Sequence, residues 1–180
     1  PGARNRCAEA ARRLAEACEK RGAWREAEEI YRAAIAAGAG TPLLHNALAL
    51  ACQRQEKLDA AVEAAEDGVR AYPGYAALHN NLATLLALRM DYTGAVEEYR
   101  KAVGLDPRLA EAWLDMGLIY FDYLKDRPAA VDAFTRYIAL RPDGKTIPEV
   151  ALALGLPTPL PEATPTPVRA KPRLRRPRSY

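Results

Sequence analysis

The chain is poor in the residues from which catalytic and metal-binding sites are built. Its 180 residues include two histidines, three cysteines and one serine, Ser179. A single serine so close to the last residue offers no nucleophile with a neighbouring base. His45 and His79 lack a third ligand for zinc. We therefore predict that the protein is not an enzyme and that it carries no metal and no cofactor.

Long apolar runs and leader-like segments are also lacking. No stretch approaches the roughly 20 apolar residues that a membrane-spanning helix needs, and no signal-peptide pattern opens the chain. Because residue 1 is a proline, removal of an initiator methionine is the simplest expectation, with a fragment of a longer protein as the alternative. We predict a cytoplasmic protein, with the periplasm as the alternative compartment. Abundant alanine and an excess of arginine over lysine are typical of a GC-rich bacterial genome.

What the chain has instead is a pattern that recurs every 34 residues, in units that open at Ala8, Pro42, Ala76 and Ala110. With columns numbered from the first residue of each unit, columns seven and eleven hold apolar residues one helical turn apart. Columns eight and twenty hold alanine or glycine, which lets two helices approach closely. One such hairpin cannot bury its own apolar face, so neighbouring units must stack. Column seven holds Leu14, Leu48, Leu82 and Met116, column eleven Cys18, Cys52, Leu86 and Tyr120, column eight Ala15, Ala49, Ala83 and Gly117, and column twenty Ala27, Ala61, Ala95 and, one place late, Ala130.

This spacing resembles the tetratricopeptide repeat (TPR), whose pattern runs through a tryptophan, a Leu-Gly pair, a tyrosine, an alanine, an aromatic residue and a proline. The resemblance covers about residues 8–144. It implies an all-α, right-handed α-solenoid of four helix–turn–helix repeats, a fold that usually binds other proteins. The fourth unit matches best, with Trp113, Met116, Gly117, Tyr120, Ala130, Phe134 and Pro142.

On this basis we divide the chain into an N-terminal extension at 1–7, four repeats, a capping helix at 145–155 and a Pro/Arg-rich tail at 156–180. Thr146 and Glu149 form a capping-box pattern, which predicts a short helix over the exposed edge of the last repeat. The fourth unit carries one extra residue, which we place within 125–128. The repeats are 8–41, 42–75, 76–109 and 110–144, and the predicted helix pairs are 6–21 with 24–37, 42–56 with 58–71, 75–89 with 92–105, and 109–124 with 128–140.

The cysteines and histidines fit a packing role in this arrangement. Cys18 and Cys52 share a column, and stacked helices about 8–10 Å apart are too distant for a disulfide between equivalent positions. We predict that both are small core residues, whereas Cys7 precedes the first repeat and is a candidate for exposure. His45 and His79 share column four and are predicted to pack between helices.

The tail differs in composition from the repeats. From Pro157 onward the chain holds seven of its 14 prolines and no glycine, which favours extended polyproline II over a packed core. Three roles are open for it: a solvated tail without a partner, docking on an acidic protein or a large assembly, and binding to nucleic acid or an anionic membrane. Its six basic residues carry more positive charge than the net +3 of the whole chain. They are Arg169, Lys171, Arg173, Arg175, Arg176 and Arg178.

The resemblance also implies where partners bind. In TPR proteins the first helices of the repeats line a concave groove that takes an extended peptide or a helix. Clamping of a terminal carboxylate is not supported, because Leu50, Glu111 and Asp115 stand where cations or amides are required, and an asparagine ladder is not supported, because only Asn81 occupies its column. The predicted groove runs from charged to amide-rich to apolar, and its apolar end is open either to a partner or to the chain's own cap or tail. Its residues are Arg12, Glu16, Asn46, Leu50, Asn80, Asn81, Thr84, Leu114, Leu118 and Phe121.

Together these features predict a non-catalytic adaptor or scaffold that mediates protein–protein interaction. We expect it to be an assembly or accessory subunit of a larger multi-subunit complex and to use both the groove and the basic tail. Two alternatives stay open: a nucleic-acid-associated factor that binds through the tail, and a regulatory fragment of a larger enzyme.

Overall fold

The computed structural model describes residues 2–141, 150 and 153–155, and the regular elements within those ranges are all helices. The second helix continues through Ile35–Ala39 with a kink at Gly38, where φ is 75°, and the seventh runs on as a short π-helical segment through Ile119–Leu124. The predicted helix pairs are confirmed to within a few residues at each end, and residues 2–7, predicted as a separate extension, belong to the first helix. The helices are α1 (Gly2–Lys20), α2 (Trp24–Ala34), α3 (Pro42–Arg54), α4 (Leu58–Ala71), α5 (Ala76–Leu88), α6 (Tyr92–Leu105), α7 (Ala110–Leu118) and α8 (Arg127–Leu140).

Each odd-numbered helix forms a hairpin with the even-numbered helix that follows it. The most extensive contacts lie within these pairs, followed by the contacts of α2 with α3 and of α4 with α5. Helices that are distant in the chain touch little, so the hairpins stack in sequence order as a solenoid.

The turns inside the hairpins share a left-handed residue. Positive φ angles between 56° and 75° occur at Gly22, Glu56, Met90 and Lys125. The first three are 34 residues apart and Lys125 comes one residue late. The π-helical turn at Ile119–Leu124 explains the delay, because a π turn accommodates one extra residue inside a helix. The extra residue of the fourth unit is therefore taken up before the turn and not within 125–128, where we expected it.

The apolar columns form the core, with one exception. Leu48, Leu82 and Met116 in column seven are at most 5% exposed, but Leu14 is 58% exposed. The first helix of each later hairpin contacts the second helix of the hairpin before it, whereas the described part of the chain has no hairpin before α1. The prediction that Leu14 is buried is therefore wrong for a geometric reason: it lies on the open edge of the stack.

Small residues set the distance between paired helices, as predicted. In column twenty, no surface is exposed at Ala27, Ala61, Ala95 and Ala130. In column eight, a Cβ atom placed on Gly117 would lie 2.5 Å from Cε1 of Phe134. Because Phe134 is itself fully buried, α7 and α8 can pack this closely only when residue 117 has no side chain.

The three cysteines are free thiols in the places that the sequence predicts. Cys18 and Cys52 are buried core residues, and burial raises the pKa of the Cys52 thiol. Cys7 is exposed on α1.

Both histidines pack between helices, as predicted, but their polar surroundings differ. His45 is buried, and burial lowers its pKa. The His79 ring lies between two acceptors, with Nδ1 2.7 Å from Oε2 of Glu98 and Nε2 2.8 Å from the Pro73 carbonyl. Burial opposes ionisation of Glu98, but hydrogen bonds from Lys101 and His79 outweigh it and lower the pKa of that carboxyl. This pair joins α5 to α6.

A buried carboxylate ties the first two hairpins together. Glu28 on α2 is 8% exposed and accepts hydrogen bonds from Lys57 Nζ at 2.9 Å, Gln55 Nε2 at 2.8 Å and Arg32 Nε at 3.0 Å. Lys57 and Gln55 belong to the turn between α3 and α4, so the bonds cross from one repeat to the next. The hydrogen bond from Lys57 is the main reason why the pKa of Glu28 is lowered to about 2.

Four residues of the predicted capping helix at 145–155 are described. Val150 is fully buried in the core, and Ala153 and Leu154 pack against it. Gly155 has a φ of 67°, the conformation that commonly ends a helix. The other residues of this segment lie outside the described residues, so its extent stays a prediction.

We expect Gly117→Ala to destabilise the protein and Gly104→Ala to stabilise it. The first methyl group collides with the Phe134 ring, and overpacking of this kind costs about 1–3 kcal/mol. The second enters open space on α6 and removes a helical glycine, which gains about 0.5–1 kcal/mol. Urea denaturation followed by circular dichroism measures both. Equal effects from the two substitutions would contradict the close approach at residue 117.

We expect Glu28→Gln to lower the free energy of unfolding at pH 7 by about 1–3 kcal/mol, because two cations lose their buried carboxylate. The folded-state pKa of Glu28 is depressed, so its contribution is complete above the unfolded pKa near 4.5 and disappears as the pH falls through about 2. The stability difference between wild type and variant should therefore shrink over that window. A difference that stays constant with pH would show that ionisation of Glu28 is not the source.

Candidate functional site

A groove of about 500 Å³ crosses the first helices of the first three hairpins, α1, α3 and α5. It brings together six of the ten residues predicted to line a partner-binding groove: Arg12, Glu16, Asn46, Leu50, Asn81 and Thr84. A smaller cavity of about 290 Å³ adjoins it at the starts of α1 and α3 and shares Arg12 and Leu43.

The other four predicted residues do not line this groove. Asn80 is on α5, one residue before Asn81, and is half-buried. Leu114, Leu118 and Phe121 lie on α7 and its π-helical extension, where they pack against the core. The Arg127 guanidinium lies over the Phe121 ring at 5.6 Å. The predicted apolar end is thus a separate surface of the fourth hairpin.

Apolar and amide side chains form the middle of the groove. Leu43 and Leu50 are 59% and 39% exposed, which is high for leucine. Asn46, Gln53 and Asn81 lie beside them. The amide oxygen of Asn46 is buried without a hydrogen-bond donor among the described residues, so no bond within the described structure fixes it. This combination offers apolar anchoring together with amides that can bond to a backbone.

At the α1 end of the groove the only guanidinium is already neutralised. Arg12 Nη2 lies 2.8 Å from Oε1 of Glu9, and Nη1 of the same side chain bonds to Glu16. Arg13 also reaches Glu9, at 2.7 Å. Hydrogen bonds from Arg12 and Arg13 lower the pKa of Glu9 to about 2. A ligand carboxylate would therefore have to displace an existing pair, in agreement with the sequence argument against a carboxylate clamp.

Two tyrosines hold carboxylates in or near the groove. The repeat pattern did not assign either tyrosine to the site. The hydroxyl of the buried Tyr31 donates to Oε1 of Glu19 at 2.9 Å. The hydroxyl of Tyr99 donates to Oδ2 of Asp115 at 3.2 Å and lies 3.0 Å from the hydroxyl of Thr84. Burial is the main reason why the pKa values of both tyrosines are raised, so these hydroxyls keep their protons.

The surroundings of Asp115 oppose its ionisation. Burial raises its pKa, the bond from Tyr99 opposes that rise, and the negative charge of Glu111 adds to it. Among the described residues, neither Asp115 nor Glu19 forms an ion pair with a cation. Tyr31 and Tyr99 occupy the same column of their repeats, where the other two repeats have Ala65 and Phe134. A hydroxyl in an otherwise apolar column is the sequence signal that could have indicated a polar partner for each tyrosine.

The basic tail residues at 169–178 lie outside the described residues, so the structure does not place them. Within the part of the chain that is described, no group of three or more histidine, cysteine or acidic side chains could hold a metal ion. No helix there is both long and apolar enough to cross a membrane.

Two stretches of the chain match known repeat families. Residues 3–42 match the family described as tetratricopeptide repeat, and residues 90–122 match the family described as TPR repeat. No curated protein sequence matches the chain.

Several solved structures have the same fold at low sequence identity. MamA from Desulfovibrio magneticus RS-1 is 19% identical, with 77% of each chain covered and a TM-score of 0.67. PilF from Pseudomonas aeruginosa is 22% identical, with 84% of this chain and 67% of that chain covered and a TM-score of 0.69. YrrB, described as a TPR protein with an unusual peptide-binding site, is 20% identical, with 81% of this chain and 72% of that chain covered and a TM-score of 0.66.

The chain is therefore an all-α solenoid of stacked helical hairpins, with a groove along the first helices. Two of its stretches, 3–42 and 90–122, match tetratricopeptide-repeat families, and a solved TPR protein shares its fold. Proteins built from this repeat are in general scaffolds for protein interaction, and their extended surfaces serve as binding faces.

We expect Asp115→Asn to raise the free energy of unfolding at pH 7 by about 0.5–2 kcal/mol, as substitutions that relieve a functional site often do. A raised pKa means that the folded state binds the proton more tightly than the unfolded chain, so ionisation of Asp115 costs stability at neutral pH. As the pH falls through the raised pKa, wild type regains the proton and the difference should shrink. Urea denaturation at neutral and acidic pH tests this, with the exposed Asp132→Asn as control. A loss of stability in Asp115→Asn would show that the carboxylate is a structural residue.

Proposed function

We propose that this protein is a non-catalytic adaptor that holds a segment of a protein partner in the groove across α1, α3 and α5. The observation that carries the proposal is the exposure of Leu43 and Leu50 between amide side chains. Exposed leucines inside a concave site provide anchoring by burial of apolar area, and the amides provide hydrogen bonds for an extended backbone or a helix. The peptide-binding site described for YrrB gives the same fold a comparable use.

The chemistry of the groove favours binding over catalysis. Its titratable residues are Arg12, Glu16, Glu19 and Tyr31. Arg12 is held by carboxylates, and Tyr31 keeps its proton against Glu19. These groups bond to neighbouring side chains and so hold the shape of the groove. No nucleophile with an adjacent base lies among the lining residues.

We propose further that the partner belongs to a larger multi-subunit complex and that the basic tail is a second contact with it. Two linked contacts raise the effective concentration of each for its target and increase avidity beyond either alone. The clustering of six basic residues between 169 and 178 supports this role for the tail. The same charges favour nucleic acid as the second candidate target, and a salt-titrated mobility shift distinguishes the two.

The test begins with cross-linking and mass spectrometry in the native source, to identify a partner. The purified partner is then titrated against wild type, Leu50→Glu and the control Met90→Glu. Met90 is 75% exposed in the turn between α5 and α6 and does not line the groove. We expect Leu50→Glu to weaken binding about 10-fold or more, because a charge replaces an apolar anchor, and Met90→Glu to have no effect. Equal affinities for all three proteins would place the partner on another surface.

A further inference from the structure

We propose that the groove is occupied by the chain's own basic tail, residues 156–180, until a partner displaces it. This inference rests on the proposed function of the groove, and it adds regulation: the groove and the tail become available together. It follows from three observations: the charges of the groove, the composition of the tail and the dimensions of both.

In the described part of the chain, two carboxylates on the first helices lack a cation: Glu19 lines the groove, and Asp115 on α7 lies beyond its lining, joined to the groove residue Thr84 through the Tyr99 hydroxyl. Glu9 and Glu16 bond to arginines on α1, and Glu111 pairs with Arg141 at the end of α8. Glu19 and Asp115, in contrast, form no ion pair among the described residues. A carboxylate that is partly withdrawn from water and unpaired is stabilised most by an incoming cation.

These two carboxylates are held in fixed positions. Tyr31 donates to Glu19 at 2.9 Å and Tyr99 donates to Asp115 at 3.2 Å, and both tyrosines are 1% exposed. Each carboxylate is therefore oriented before a ligand arrives, so a cation that binds there pays little for ordering it. Glu19 lies on α1 and Asp115 on α7, toward opposite ends of the stack.

The tail supplies the complementary chemistry. It carries six basic residues and one acid, with Leu174 between two of its arginines. Its prolines favour an extended conformation, which lowers the entropy lost on binding in a groove. Guanidinium groups bind carboxylates with two parallel hydrogen bonds, and a leucine between them matches the exposed Leu43 and Leu50.

The dimensions agree. First helices of successive repeats at about 8–10 Å spacing put α1 and α7 about 24–30 Å apart. The segment from Arg169 to Arg178 spans about 28 Å at about 3.1 Å per residue in polyproline II. The residues between Gly155 and Arg169 reach about 43 Å at the same rise, which is enough to return to the groove. Because the two are joined by a short linker, the tail is present at about millimolar effective concentration.

Photo-cross-linking of the full chain tests this without any partner. p-Benzoylphenylalanine is placed at Leu50 in the groove and, as the control, at Met90 in the turn between α5 and α6. We expect the probe at Leu50 to label peptides from residues 169–180 of the same molecule, at a yield that does not change with protein concentration, and the probe at Met90 to label them at least fivefold less. Equal labelling from the two positions, or none from Leu50, would overturn the proposal.

Mixing isotopically heavy and light protein shows whether the cross-linked tail belongs to the same molecule or to a second copy. Cross-links between heavy and light chains whose yield rises with concentration would show the tail of a second copy in the groove, which overturns the intramolecular assignment. A labelling yield that is the same at high salt and at low salt would contradict the proposed ionic contacts.

A charge-matched pair of double variants tests the two carboxylates. Glu19→Gln with Asp115→Asn should lower the cross-linking yield at Leu50 at least fivefold, whereas Glu29→Gln with Asp132→Asn, both on exposed faces of second helices, should leave it unchanged. Equal yields would show that the net charge and not these two positions attracts the tail, and would overturn the assignment. Circular dichroism confirms that both proteins are folded. Because partner binding is measured separately, the tail contact can fail while the groove still binds its partner.

Discussion

The close approach of the two helices in each hairpin is the constraint on which the remaining structure depends. Fully buried alanines in column twenty, and Gly117 beneath the Phe134 ring, leave no room for a larger side chain. In a solenoid each hairpin touches mainly its neighbours, so the geometry of one hairpin sets the position of the next. The spacing of the first helices, and with it the shape of the groove, follows from residues that do not line the groove.

Buried polar groups fix the position of neighbouring helices along their axes. Glu28 joins α2 to the turn of the next hairpin through Lys57 and Gln55, and His79 joins Pro73 and Glu98. Apolar columns alone tolerate small slips along the helix axis, whereas a carboxylate that must meet three donors does not. Removing water from such groups costs much of what their attraction returns, so their main contribution is to specify one arrangement.

Sequence alone predicts the hairpins well, because a 34-residue period repeats the same local signals four times and each copy supports the others. It fails where one copy departs from the pattern. Leu14 has the residue type of a buried column but no preceding hairpin to cover it, and the π-helical turn at Ile119–Leu124 absorbs an insertion that composition cannot locate. Tyr31 and Tyr99 recur at one column of the repeat, but the direction of their hydroxyls depends on neighbouring helices.

Several residues in and beside the groove are less favourable for the stability of the fold than simpler residues would be. The exposed leucines and the unbonded asparagine oxygen of the groove, and the charge of the half-buried Asp115 beside it, each lower stability relative to simpler residues. Natural sequences keep costly features mainly where binding requires them. Leu43, Asn46 and Leu50 lie on α3 and Asp115 lies on α7, whereas the groove lining as a whole crosses α1, α3 and α5. An extended ligand of the kind proposed would contact all three of the helices that line the groove.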